Sequence, residues 1–247
     1  MNTVAIIPAR FASTRFPGKP LARETGKYLI QHVHEKVRSA RSIDDVIIAT
    51  DDERILEAVH SFGGRAAMTR PDHPSGTDRI AEVARRLDAD LIVNVQGDEP
   101  EIDPAHLDRL VDALADPADL SLATLACPFS RQADPTDPNA VKVVLDHQGR
   151  ALFFSRALIP YPRASAGHPV APEHWLLHIG VYAYRRETLL ELAALPPTPL
   201  EQSERLEQLR ALEHGYSIAV VLVEFAAIGI DTPADYAAFV ARMNART

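Results

Sequence analysis

At 247 residues, 46% of them hydrophobic, the chain can bury one large core or two modest ones. Its 34 acidic residues against 26 Lys and Arg give a formal charge of −8, which excludes a broad cationic face for nucleic acid or an anionic membrane. The single cysteine, Cys127, excludes an intrachain disulfide and a thiolate-rich metal site, and its LATLACP setting reads as a small core residue. VAII near the start is too short for a secretory core, and no run approaches the ~20 apolar residues of a spanning helix. A soluble, cytoplasmic protein without a membrane partner is expected.

Val4 to Ile7 and Asp45 to Thr50 are short β-branched runs, each followed by a helical pattern, which predicts parallel strands buried on both faces. In LIQHVHEKVRSA the apolar Ile30, Val33 and Val37 share one helical face; in DERILEAVHSF, stopped by Gly63 and Gly64, Ile55, Leu56, Val59 and Phe62 do so. GTDRIAEVARRL follows as helix and DLIVNV as strand, and Asp103 with Pro104 opens a helix carrying Leu107, Leu110, Val111 and Leu114. Beyond about residue 120 the texture changes. VKVVLDHQGRALFFS reads as a hairpin turning at Asp146 to Gly149, HIGVYAYR as a strand, LEQSERLEQLRALEHG as one helix closed by Gly215, SIAVVLVE as a late strand, and TPADYAAFVARM as a final helix opened by Thr232 and Pro233. Segments 128–140 and 160–174 read as loops. The fold class expected is α/β: three layers, α/β/α, around a mainly parallel central sheet with an inserted antiparallel subdomain.

In open α/β sheets ligands collect beyond the carboxyl ends of the strands. PARFASTRFPGKPLA leaves the end of the first strand carrying Arg10, Arg15 and Lys19 in a turn rich in Pro, Gly, Ser and Thr. One such cation alone reads as solvated surface; three beside turn amides can surround a polyphosphate, as in a nucleoside triphosphate. Neither G-x-x-x-x-G-K-[ST] nor a G-x-G-x-x-G after a strand is present, so a P-loop and a dinucleotide fingerprint are disfavoured. In DLIVNVQGDEP two carboxylates emerge at a strand end: Asp98 suits a hard cation such as Mg²⁺, which needs only one or two protein carboxylates, and Glu99 reads better as a polar turn capping the next helix. Asp231 in AIGIDTPADY follows another apolar run, with Thr232 available as the cap, which frees its carboxylate for the same ion. On HIGVYAYR, His178 and Tyr182 fall on one strand face; a lone His there reads either as a satisfied core residue or as part of a sugar-lined face. Glu207 and Gln208, by residue pattern, read as a solvated helix face.

Taken together, PARFASTRFPGKPLA, ATDDERI, MTRPDHPSGTDRIAE, VNVQGDEP, PNAVKVVLD, FFSRALIPY, HIGVYAYR, LEQLRALEHG and GIDTPADY resemble, in this order and nearly end to end, the 3-deoxy-manno-octulosonate (Kdo) cytidylyltransferase family, also called CMP-Kdo synthetases. The GKPL loop is shared by many sugar nucleotidyltransferases; HPSGTDR, VNVQGDEP, FFSRALIP and HIGVYAYR narrow the resemblance to this family. It implies a nucleotidyltransferase-like fold and a bacterial, Mg²⁺-dependent, homodimeric enzyme of lipopolysaccharide synthesis that forms CMP-Kdo and pyrophosphate from CTP and Kdo, an acidic eight-carbon sugar. It further implies one domain over 1–247, with a nucleotide-binding half, 1–125, and a sugar-binding and dimerisation half, 126–247.

By the same resemblance Arg10, Arg15 and Lys19 match the triphosphate loop, Ser75 and Gly76 the cytosine-recognition loop, and Asp98 and Asp231 the metal ligands. Lys19, Asp98 and Asp231 are the expected catalytic set, and Gln96, Arg156, His178, Tyr182, Glu207 and Gln208 fall on the sugar-acid pocket. Attack of a sugar hydroxyl on an α-phosphate is governed by positioning and charge neutralisation, so no dedicated protein base is expected. Tyr28 and Asp52 stand where the family often has Pro and His, and PYPRASAGHPVAPEH departs from the family pattern. Those departures keep another acidic sugar, 8-amino-Kdo or a sialic acid, as an alternative substrate. A non-catalytic nucleotide-binding module and a metal-dependent glycosyltransferase are further alternatives, disfavoured by the paired aspartates and by the triphosphate-oriented loop.

Overall fold

The computed structural model describes residues 1–12, 14–115 and 120–245; Ser13 of the basic loop lies outside them. The chain divides into two compact units, Met1–Val111 with Ala227–Thr247, and Asp112–Ala226. These units do not coincide with the halves 1–125 and 126–247 read from the sequence. The second unit begins earlier, and the last part of the chain returns to the first.

The first unit runs β1 (Thr3–Ala9), α1 (Leu29–Arg38), β2 (Asp45–Thr50), α2 (Glu53–Ser61), β3 (Arg65–Met68), α3 (Gly76–Ala84), β4 (Leu91–Asn94) and α4 (Pro104–Asp112). Its strands are all parallel in the order β3-β2-β1-β4, with Ile6 opposite Ile47 on one side and opposite Asn94 on the other. Strand β1 is nearly all buried because both its edges are paired and helices cover its faces. Right-handed crossovers place α1 and α2 on one face and α3 on the opposite one. The connections therefore reverse direction between β1 and β4, and the crevice at the carboxyl ends of those two strands is the topological switch point. The edge strand β3, RAAM, is too short and alanine-rich to show in the sequence pattern.

Helix caps follow the residues that announce them. Asp52 accepts from Arg54 N at 3.0 Å and opens α2, a capping role that accounts for an Asp at that departure from the family pattern. For α4, Asp103 accepts from Ala105 N at 2.9 Å.

The second unit contains β5 (Leu122–Pro128), β6 (Lys142–Leu145), β7 (Ala151–Ser155), β8 (Leu176–Arg185), α5 (Arg186–Ala194), α6 (Pro199–Glu204), α7 (Gln208–Glu213) and β9 (Ala219–Leu222). Here β5 lies between β8, antiparallel, and β9, parallel, while the β6–β7 hairpin continues antiparallel from β8. This is the inserted, mainly antiparallel subdomain. Cys127 is buried, and burial pushes its thiol above the ordinary range. Segment 160–174 holds two short 3-10 turns, Arg163–Ser165 and Pro172–His174.

LEQSERLEQLRALEHG is not the single helix expected. Arg205, at φ 52°, ends α6 in the left-handed region before α7 begins. The hairpin provides the physical reason: the Glu204 carboxylate accepts from Ser155 Oγ at 2.6 Å and Arg156 N at 2.9 Å, and Arg156 Nε donates to the Glu204 carbonyl at 2.7 Å. Those bonds hold the end of α6 against the strand and meet a carbonyl that a continuing helix would have bonded.

The returning segment ends in α8 (Pro233–Asn244), opened by a capping box in which Thr232 Oγ1 accepts from Asp235 N and Asp235 Oδ2 from Thr232 N. Tyr236 and Phe239 of α8 join Leu29 and Ile230 in a core cluster against which Phe16 and Ala22 of the basic loop pack. Full burial of Phe239 and Leu29 is worth roughly 1.5–3 kcal/mol each. Among the described residues no helix is long and apolar enough to cross a membrane.

Candidate functional site

The basic loop is shaped at its base by two close contacts. Gly18, at φ 71°, donates its N–H to the Phe11 carbonyl at 3.0 Å, and a Cβ there would stand 3.2 Å from the Phe11 ring. The Arg54 guanidinium stacks over the Phe11 ring, 3.4 Å from its centroid. Gly18 thus turns the chain into a 3-10 turn, Lys19–Leu21, which the packing of Phe16 and Ala22 holds against α8.

Lys19 is the hub of the charged cluster. Its Nζ donates to Asp98 Oδ2 at 2.7 Å and to the Ile230 carbonyl at 2.7 Å, and lies 3.9 Å from Asp231 Oδ1. Arg15 reaches the same Asp231 oxygen at 2.7 Å. The two aspartate segments are also joined through the backbone, Ile230 N to Asp98 O at 2.9 Å. Asp98 reaches this position because residue 97 is glycine: a Cβ there would lie 2.9 Å from the Pro8 carbonyl, so only glycine lets the turn after β4 pass the end of β1. Lys19, Arg15, Asp98 and Asp231 are therefore brought together beside the switch point.

Arg10, Ser75 and Gly76 form a neighbouring group. Arg10 Nη2 donates to the His73 carbonyl at 2.9 Å; Ser75 Oγ accepts from Asp78 N at 3.1 Å and caps α3; Gly76 sits over Pro8, where a Cβ would be 3.5 Å from Cγ. His73 is held by Glu82 at 2.6 Å. The positive end of α3 thus opens beside the same strand end that carries the cations.

Glu99 departs from its expected role. Asp103 caps α4, whereas Glu99 keeps one carboxyl oxygen buried without a hydrogen-bond partner. Burial, with the Asp98 charge beside it, pushes its pKa up to about 8. At neutral pH Glu99 is therefore held mainly in its protonated form. Among the described residues no group of three or more His, Cys, Asp and Glu is arranged for a metal. Two carboxylates on one cation suit a hard ion that completes its shell with phosphate oxygens and water.

Of the residues expected to bind a sugar acid, Gln96 lies in the first unit, after β4, and the others lie in the second. His178 Nε2 is 3.0 Å from Thr124 Oγ1, its ring meets Phe154 edge-on at 4.8 Å between centroids, and Tyr182 lies at 5.5 Å. Burial pushes the His178 pKa down to about 3. Burial, with Tyr184 and the Glu207 carboxylate nearby, pushes the Tyr182 phenol well up. Both rings are neutral hydrogen-bonding groups at physiological pH. Gln208 is buried with its amide nitrogen unpartnered, a donor that a bound polar ligand would satisfy.

Arg156 is engaged structurally as well: besides its bond to Glu204, Nη1 donates to the Pro138 carbonyl at 2.9 Å. The fully buried Lys142 donates to the Asp137 and Arg156 carbonyls. Sequence reasoning missed Thr124 and the Ile230 carbonyl. Thr124 is unremarked strand filler in the sequence, and a backbone acceptor leaves no side-chain signal.

The family model for cytidylyltransferases matches residues 4–218. A 3-deoxy-manno-octulosonate cytidylyltransferase of Syntrophotalea carbinolica is 52% identical over 239 residues, covering 95% of this chain and 96% of the relative. A solved structure described as CMP:2-keto-3-deoxy-manno-octonic acid synthetase complexed with CTP superposes with a TM-score of 0.91 at 43% identity, covering 100% of both chains. A nucleotidyl transferase from Methanothermobacter thermautotrophicus, at 17% identity and a TM-score of 0.62 over 100% of this chain and 99% of that one, shows a shared fold alone.

Proposed function

The chain belongs to the 3-deoxy-manno-octulosonate cytidylyltransferase family, and from that premise we propose that it transfers CMP from CTP to the anomeric hydroxyl of Kdo, releasing pyrophosphate and giving CMP-Kdo for lipopolysaccharide synthesis. The observation that carries this reading is the Lys19 ammonium held between Asp98 and Asp231 at the β1–β4 switch point, flanked by Arg15. In the reaction the sugar oxygen forms a bond to the α-phosphorus, the bond from that phosphorus to the bridging oxygen of the β-phosphate breaks, and the electron pair leaves on pyrophosphate. The hydroxyl proton passes to water.

In this proposal each residue has a task. Lys19, Arg15 and Arg10 offset charge on the β- and γ-phosphates, where negative charge grows as pyrophosphate departs. Ser75 and Gly76, at the start of α3, hold the cytosine end, and Gln96, Arg156, His178, Tyr182, Glu207 and Gln208 hold the sugar acid. Asp98 and Asp231 fit Mg²⁺ by donor type and number, and the ion when bound supplies Lewis-acid stabilisation of the phosphate charge. Lys19 and Arg15 pair with those carboxylates, so triphosphate binding would redirect existing cations toward phosphate.

A pyrophosphate-release assay over CTP, UTP and ATP against Kdo, 8-amino-Kdo and sialic acid, with and without Mg²⁺, tests the reading. Turnover with CTP and Kdo that disappears on chelation is expected. Turnover only with another sugar acid corrects the substrate, and CTP binding without turnover on any sugar overturns catalysis. The proposal includes a homodimer in the cytoplasm, and light scattering in solution tests the assembly.

A further inference from the structure

A regular strand separates residues four apart by about 13 Å, yet the His178 and Tyr182 rings lie 5.5 Å apart between centroids. The strand register supplies the cause. Thr124 pairs with Tyr182 but the next residue, Leu125, pairs with Ile179, so the register slips by two residues at Gly180 and Val181 of β8. The bulge gathers the strand and brings the two rings onto one rim. Inside it sits the fully buried Thr124 hydroxyl, 2.8 Å from the Val181 carbonyl, 3.2 Å from the Ile179 carbonyl and 3.0 Å from His178 Nε2.

A hydroxyl has one hydrogen to donate. If it went to His178, two carbonyl oxygens would face the hydroxyl oxygen at close range with no proton between. If it goes to the carbonyls, the hydroxyl lone pair accepts from an Nε2–H and every contact is satisfied. We propose that Thr124 is a positioning residue for sugar recognition: its hydroxyl pins the β8 bulge and fixes His178 as the Nε2–H tautomer, leaving Nδ1 as an acceptor for a hydroxyl of the sugar acid. Among the described residues Nδ1 has no hydrogen-bond partner. The depressed pKa of this partly buried ring keeps that lone pair available at physiological pH. Phe154, packed edge-on, fixes the ring plane.

This inference rests on the reading of His178 as a sugar-pocket residue, and the experiment separates the two. Long-range ¹H–¹⁵N NMR of the histidines in the full chain reports the tautomer directly, and steady-state kinetics with CTP and Kdo report recognition. The wild type is expected to show Nε2–H at His178. Thr124→Val should give a mixed tautomer and raise the KM for Kdo about tenfold, the factor that one hydrogen bond of ordinary net worth carries, with the KM for CTP little changed. Thr124→Ser, which keeps the hydroxyl, should restore both readouts. An Nδ1–H signal in the wild type overturns the inference even if the valine variant fails to fold, as does a folded Thr124→Val with wild-type tautomer and KM. If His178→Phe leaves the KM for Kdo unchanged, the pocket reading fails instead, whatever the tautomer data show.

Discussion

The two units present their candidate binding groups in opposite physical states. At the end of β1 the first unit gathers full charges: Arg15 and Asp231 stay open to water, their side chains 64% and 51% exposed, while Lys19 and Asp98 lie deeper at 13% and 32% and are paired with each other. On β8 the second unit gathers rings held neutral by burial, His178 and Tyr182. The difference follows from the ligands proposed for each. A triphosphate is met by charges that stay paired until they exchange partners, because unpaired buried charge is costly. A sugar's hydroxyls are met by uncharged donors and acceptors whose orientation is fixed beforehand, because orientation is what distinguishes one sugar from another. On the proposed assignment, charge in the first unit would serve transition-state stabilisation and geometry in the second would serve choice.

The sharpest way to break this comparison is to remove charge without changing shape. Asp98→Asn keeps the size of the side chain and removes its charge, and turnover is expected to fall about 10³-fold with the melting temperature close to wild type. A folded variant with near-normal pyrophosphate release would end the metal-ligand assignment. Lys19→Met is expected to lower kcat/KM for CTP about 10²-fold. It also leaves Asp98 and Asp231 without the ammonium they share, so Mg²⁺ alone should raise the melting temperature of the variant more than that of the wild type. Equal shifts by differential scanning fluorimetry would show that Lys19 and the ion do not compete for the same carboxylates.

The first unit was far more legible in the sequence than the second, and the reason is locality. Lys19 and Asp98 are visible because a short buried strand announces itself and ligands collect at its carboxyl end, and Asp231 because it follows a short apolar run just before a helix opening. The caps at Asp103, Thr232 and Pro233 are equally local. What escaped depends on pairing between distant segments. The Thr124 hydroxyl matters only because the β5–β8 register slips by two residues there. The break at Arg205 exists because Arg156, far back on the hairpin, bonds the end of α6. The return of α8 to the first unit rests on Tyr236 and Phe239 meeting Leu29. Glu99 looked like a turn residue because sequence does not report how deeply its carboxyl is buried.

Gly97→Ala sharpens the comparison by steric means, since the added Cβ would meet the Pro8 carbonyl at 2.9 Å, an atom that cannot swing away as a side chain would. Pushing the turn off β1 should cost about 1–3 kcal/mol in urea unfolding and displace Asp98 from Lys19. The effect on CTP use should exceed that on the KM for Kdo. An equal loss on both substrates would mean that the two units do not divide recognition as proposed.

The smallest expected effect probes the neutral side of the comparison through pH. His178 has a folded pKa of about 3 against the ordinary 6.5, so between those values the unfolded chain binds a proton that the folded chain does not. Stability contributed by this group is therefore present above pH 6.5 and is lost as the pH falls toward 3. At pH 5.5 the loss amounts to about 1.4 kcal/mol relative to pH 8. His178→Gln has no proton to gain, so its urea-unfolding free energy should decline less over that interval by about this amount, whatever its offset at pH 8. Parallel pH profiles for the two proteins would mean that the ring is solvated enough to ionise in place, and a charged imidazole has no Nδ1 lone pair to offer a sugar.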